Sequence, residues 1–169
     1  MERLIRFGGS MRGALWFAAG LVVGLATQAG SGQPRDIVSL NHVALSVEDF
    51  EGAKKFYTET MGFPEAFEFR EPDGKPYLSY LQINRQTFIE LMGATATRPP
   101  GFVHFGLEVA DVDSVARRLR ERGVQVGNAS VSPRTKSRIA VGRTPHGTTF
   151  ELLEFGPDSL HRRVMERWK

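Results

Sequence analysis

Two histidines, His42 and His104, stand 62 positions apart, and two glutamates, Glu90 and Glu151, stand 61 apart. Singly, each has a bland explanation: a strand histidine usually just finds a hydrogen bond, and a strand glutamate usually faces water. Together they form a donor set with chemistry in it. Two imidazoles and two carboxylates suit a borderline or hard divalent ion such as Zn, Ni, Co, Mn or Fe, with coordination positions left open for a substrate. The local patterns agree. Over 40–47, Val43, Leu45 and Val47 alternate with His42, Ala44 and Ser46, and over 102–109, Val103, Phe105, Leu107 and Val109 alternate with Phe102, His104, Gly106 and Glu108. Each histidine therefore faces away from its strand's large aliphatics, and small neighbours such as Ala44 and Gly106 leave room for a ligand. Glu90 shares a face with Phe88 and Met92, and Glu151 with Thr149 and Leu153. A carboxylate among apolar side chains is costly unless it is paired or metal-bound. These residues predict one divalent ion held by His42, Glu90, His104 and Glu151.

The elements that must position this quartet repeat. A strand over 40–47 leads to a helix over 48–61 with Phe50, Ala53, Phe56, Tyr57 and Met61 at helical spacing, stopped by Gly62. Strands over 66–70, 77–83 and 87–92 follow, separated by turns at 72–74 and 84–86. Residues 93–101, rich in small residues and proline, read as a linker. The order then recurs: a strand over 102–109, a helix over 112–122 stopped by Gly123, and strands over 124–126, 137–142 and 148–155. Val47 and Val109, and Asp49 and Asp111, keep the 62-residue offset, and Gly62 and Gly123 keep the 61-residue one. One internal duplication with one gap accounts for all of these pairs. The fold class is α+β, two tandem βαβββ modules over 38–92 and 101–156, with a short amphipathic tail helix within 157–169.

Other charged groups compete for roles. Glu154 rivals Glu151, but alternation turns it to the opposite face. His146 falls in the turn 145–147 and reads as a turn residue. Arg134, Lys136, Arg138 and Arg143 read mostly as a solvated strand edge, with Arg138 the best single candidate for holding an anionic substrate. The arginines over 117–122 form a wet helix face.

The stretches 40–49, 56–57, 61–63, 88–92, 104–109 and 144–154 resemble the glyoxalase/bleomycin-resistance/dioxygenase (vicinal-oxygen-chelate) superfamily. The resemblance covers about 38–156. It implies paired modules curling a mixed sheet around a cleft with a metal at its floor, and the His-Glu-His-Glu order is similar to that of lactoylglutathione lyase. By that resemblance Glu151 is the base, with Glu90 a possible second participant, in a lyase or isomerase that moves a proton next to a carbonyl through an enediolate. Epimerases belong to the same superfamily. The alternatives are an extradiol-type dioxygenase, which uses two histidines and one carboxylate, and a metal-free drug-binding protein. Both fit the complete four-residue set less well. The resemblance also implies a small-molecule substrate and a homodimer, with modules paired within a chain or exchanged between chains.

Residues 1–13 carry Arg3, Arg6 and Arg12 against Glu2, residues 14–26 are apolar and uncharged, and Thr27-Gln28-Ala29 offers a small-x-small exit. This predicts a cleavable signal peptide over 1–29 followed by a flexible lead-in over 30–37, and hence an exported protein. The apolar run is shorter than the ~20 residues of a spanning helix; an uncleaved anchor is the alternative. Export would separate the protein from cytoplasmic glutathione. Without 1–29, Lys plus Arg falls from 22 to 19 and Asp plus Glu from 19 to 18, a net charge of +1. A chain so balanced lacks the basic footprint of a nucleic-acid binder. With no cysteine, thiolate ligands and a cysteine nucleophile are excluded.

Overall fold

The computed structural model describes residues 36–169. The predicted signal peptide, 1–29, and the lead-in up to Arg35 lie outside the described residues. The elements run β1 (Ile37–Val47), α1 (Phe50–Lys55) with a π turn (Phe56–Thr60), β2 (Glu65–Arg70), β3 (Pro76–Gln82) and β4 (Phe88–Gly93). They continue as β5 (Gly101–Val109), α2 (Val112–Glu121), β6 (Gln125–Val126), β7 (Ser130–Val131), β8 (Arg138–Arg143), β9 (Thr149–Glu154) and α3 (Leu160–Arg167). The strands form one nine-stranded sheet in the order β2-β3-β4-β1-β5-β9-β8-β6, with β7 against β8. The repeat is visible in the pairing: β1 runs parallel to β4, and β5 parallel to β9. The two halves join where β1 and β5 pair antiparallel. In this chain the modules therefore pair with each other.

Helices α1 and α2 each start on a capping aspartate, Asp49 accepting from Gly52 N and Asp111 from Ser114 N. Gly62 and Gly123, at φ 75° and 82°, take the left-handed turn that ends each helical segment. The aliphatic face of β5 packs as the alternation predicts. Phe105, Leu107 and Val109 meet Val112, Val115, Ala116 and Leu119 of α2, with Phe150 and Leu152 of β9. His104 points to the other side, called here the site face.

Three expectations need correction. The lead-in ends early: Ile37 already pairs with Val109, Ala110 N donates to Asp36 O, and Asp36 is ion-paired to Arg118. The helix expected to reach Met61 is α-helical only to Lys55, because Met61 N bonds to Phe56 O across a π turn. The linker is not plain coil. Thr95 and Arg98 exchange backbone bonds, Ala94 N donates to Val47 O, and Ser46 Oγ donates to Arg98 O. The last helix falls where the amphipathic pattern placed it, and it is docked. Val164 and Met165 pack against Leu78, Tyr80 and Phe88, so α3 lies across the site face of the first module.

Candidate metal centre

The quartet converges. His42 Nε2 and His104 Nε2 stand 3.0 Å apart, and Glu90 Oε2 lies 3.3 and 3.2 Å from them. Glu151 Oε2 is 3.8 Å from both rings. The β1–β5 pairing places the two histidines across the seam between modules, since His104 is the partner of Ala44 and His42 the partner of Gly106. The register of β4 and β9 then sets the carboxylates beside them, with Glu90 opposite Ala44 and Glu151 opposite Gly106. Gly106 is required rather than roomy. A Cβ there would collide with the His42 imidazole, so the space predicted for a ligand is taken by the ring.

His42 is oriented from behind. Asn41 Nδ2 donates to the Gln86 carbonyl, which fixes Asn41 Oδ1 as an acceptor for His42 Nδ1 at 3.0 Å. The proton then sits on Nδ1, and Nε2 turns its lone pair to the cluster. Burial, with the neighbouring His104 and His161, lowers the His42 pKa and keeps the ring neutral. Burial also pulls on His104, but the Glu90 and Glu151 carboxylates outweigh it and its pKa is raised. Burial raises the Glu151 carboxyl, opposed by His104 and reinforced by Glu90.

The set fits a cation. A lone pair facing another ring nitrogen and a carboxylate oxygen at these distances needs a proton or a cation between them, and a metal ion would serve all of these atoms at once. Glu90 Oε2 is fully buried and has no hydrogen bond of its own, which is costly for a carboxylate. Donors each about 2.1 Å from one ion stand about 3.0 Å apart at right angles and about 3.4 Å apart in a tetrahedron. The separations of 3.0, 3.2 and 3.3 Å among His42, His104 and Glu90 fall in that range, and the 3.8 Å separations of Glu151 lie just beyond it. His42, His104 and Glu151 offer ligand atoms within 4.8 Å of one another.

Arg138 does not reach this site. It leaves β8 on the α2 side and donates to Glu154 Oε2 at 2.9 Å and to Asp113 Oδ2 at 2.6 Å. The cause is register: Val141 is the partner of Glu151, so Ile139, Val141 and Arg143 share the site face, and Arg138 and Ala140 do not. Glu154 faces away, as alternation predicts, and accepts from Val112 N at the start of α2. His146 is an exposed turn residue.

Two residues were missed. Tyr80 is the cross-strand partner of Glu90 and packs edge-on to His42, with ring centroids 5.7 Å apart. Burial and the charges of Glu90 and Glu151 raise its pKa well above the usual phenol value. The turn predicted at 84–86 already implied this partner, because a hairpin centred on residue 85 sets 80 opposite 90. His161 of α3 is fully buried, stacked 6.4 Å from His42 and 5.0 Å from Phe155, and edge-on to Tyr80, Phe67 and Phe88. Burial lowers its pKa to about 3. No local sequence signal pointed there.

A mixed sheet of two βαβββ repeats, with donors from both repeats meeting at the seam, defines the glyoxalase class of fold. The profile of the Glyoxalase/Bleomycin resistance protein/Dioxygenase superfamily matches residues 39–152, and the chain belongs to that superfamily. It is 30% identical over 124 residues to the uncharacterized protein YwkD of Bacillus subtilis, covering 69% of this chain and 96% of the relative. It is 29% identical over 127 residues to a lactoylglutathione lyase of Arabidopsis thaliana, covering 69% of this chain and 44% of that protein. The crystal structure of methylmalonyl-CoA epimerase from Mycobacterium tuberculosis superimposes with a TM-score of 0.62 at 26% identity, covering 76% of this chain and 95% of that chain.

Proposed function

We propose that this chain is a metal-dependent lyase or isomerase that transfers a proton next to the carbonyl of a small substrate. One observation carries the reading: the imidazole nitrogens of the two repeats stand 3.0 Å apart at the module seam, and one carboxylate oxygen from each repeat lies 3.2–3.8 Å from both of them, that of Glu90 buried and without a hydrogen bond of its own. His42, His104, Glu90 and Glu151 would hold a divalent ion, which supplies Lewis-acid polarisation of adjacent substrate oxygens and stabilises the charge that develops there. Glu151 is the base. Of the two carboxylates it is the more accessible, and its raised pKa brings it nearer the range where a base works well at neutral pH. Glu90, buried beside both rings and Tyr80, stays in place as a ligand. The rings and aromatic side chains around His42 exclude water from that side of the site.

The homologous lyase and the structurally similar epimerase support this class of reaction. The test is metal analysis of the purified chain followed by a carbonyl-substrate screen. One divalent ion per chain and proton exchange at the carbon next to a carbonyl are expected. Protein that stays metal-free in Zn, Ni, Co, Mn and Fe(II) supports a binding module instead, and oxygen uptake with catechols supports a dioxygenase. Export by the N-terminal segment is a separate proposal resting on the basic start and apolar run. Sequencing of native protein should begin near Gly30.

A further inference from the structure

We propose that the groove beside the candidate metal centre on the second module is an anion subsite built on Arg143, and that the substrate is a small acid whose negative group lies at the end remote from its metal-facing oxygens. The inference rests on reading the quartet as a metal centre.

The direction of entry comes from exposure. The side chains of His42, Glu90 and His104 are 0%, 5% and 8% exposed, and that of Glu151 is 20% exposed. Helix α3 covers the first module's site face, with His161 against His42, so the body of a substrate cannot lie there. The uncovered surface runs the other way, from Glu151 to its partner Val141 and from Thr149 to its partner Arg143. Val141 is 50% exposed.

Beyond Glu151, that surface continues into a groove of about 550 Å³, whose lining includes Val141, Thr149, Gln125, Arg143 and Arg120, none of the four donors and no acidic residue; Val141 and Thr149 join it to the site as the strand partners of Glu151 and His104. The volume is in the usual range for a small-molecule site. Arg143 is exposed, and its side chain makes one weak bond, to the Gly147 carbonyl at 3.4 Å. No carboxylate among the described residues lies within ion-pairing distance of it. Arg70, Arg118, Arg138, Arg162 and Arg163 are each paired with an acid, whereas Arg143, like Arg85, Arg117, Arg122 and Arg167 elsewhere on the surface, has no such pairing among the described residues; what sets Arg143 apart is its place in the row of His104. Arg120 donates to the Val126 and Gly127 carbonyls, which keeps a second positive charge at the rim.

The spacing suits one ligand. Arg143 pairs with Thr149, and Thr149 with His104, so Arg143 lies in the same row as His104, two strand spacings or about 10 Å away between backbones. A long arginine reaching back from there meets the far end of a short chain whose near end faces the quartet. The planar guanidinium suits a carboxylate or a phosphate, and an uncompensated cation beside apolar walls draws either.

The experiment is calorimetric titration of zinc-loaded full-length protein with hydroxamates, which present two adjacent oxygens. Acetohydroxamate is compared with ω-carboxy hydroxamates of two to four methylenes and with their ω-phosphonates. At least one ω-anion should bind about tenfold more tightly than acetohydroxamate, and the better of carboxylate and phosphonate identifies the anion. Arg143→Gln should abolish that preference while zinc uptake and acetohydroxamate binding persist, and Arg143→Lys should restore part of it. Equal binding of all probes to the wild type, or a preference that survives Arg143→Gln, overturns the inference while leaving the metal centre intact. Protein that takes up no zinc and binds no hydroxamate overturns the metal reading and this inference together.

Discussion

The two modules share a βαβββ order, with β7 added in the second, and a His–Glu pair, yet their site faces differ. In the first, β3 and β4 are buried on both faces, with α3, Tyr80, Phe67 and Phe88 packed over Glu90. In the second, α2 covers the far face only, and Val141 and Arg143 stand exposed beside Glu151. Duplication thus supplied two equivalent carboxylates, and packing made them unequal. A buried carboxylate that cannot move suits holding an ion, whereas one open to a groove can meet substrate.

The sharpest test of that inequality is the pair Glu90→Gln and Glu151→Gln. Glu90→Gln should cost most of the bound metal. Glu151→Gln should keep much of it and lower turnover by about 10²–10⁴. Equal loss of metal and activity in both variants would break the comparison. Asn41 backs only the first module's histidine, so Asn41→Leu should weaken metal affinity by about 10–100-fold, read by competition with a chelator. His161 tests the cover over the first module. Its folded pKa of about 3 is below the ordinary 6.5, so the unfolded chain binds the extra proton between these values. The stability carried by neutral His161 is complete above the unfolded value and is lost as pH falls toward the folded one, by about 1.4 kcal/mol per unit. His161→Phe should therefore move the acid unfolding midpoint of metal-free protein to lower pH by circular dichroism. An unchanged midpoint would mean that α3 is not docked in solution. The smallest effect belongs to Glu154→Gln, on the opposite face. Metal content should not change, and the weakened pairing with half-exposed Arg138 should cost at most about 1 kcal/mol in a denaturant titration.

What was legible in the chain follows period and repetition. Alternation around His42 and His104 named the correct face, the 62-residue offset matched the strands, and Asp49 and Asp111 marked both helix starts. Glu151 and Glu154 were told apart by parity alone. Arg138 was misplaced because its face depends on the β8–β9 register, which pins Val141 to Glu151 and is invisible without the pairing. Tyr80 could have been found from its hairpin. His161 could not, since the amphipathic pattern of α3 shows that one side is apolar but not which surface takes it. The length of β1 was underestimated because its first residues are held by Val109 and Glu108, and Asp36 before them by Ala110, partners outside the local pattern.

The antiparallel join of β1 to β5 also has a consequence for assembly in time. Until β5 arrives, the first module, which holds His42 and Glu90 and so half of the donor set, presents β1 as an open edge, a template for any chain that can complete it. The chain's own β5 is tethered by residues 94–100, at an effective concentration on the order of millimolar for so short a link. The bonds from Ala94 to Val47 and from Ser46 to Arg98 fasten that tether to the end of β1 itself. Self-closure should therefore outrun exchange with a neighbour at ordinary concentrations. Loosening the fastening, rather than altering either module, is the economical route to a chain that trades halves with another copy.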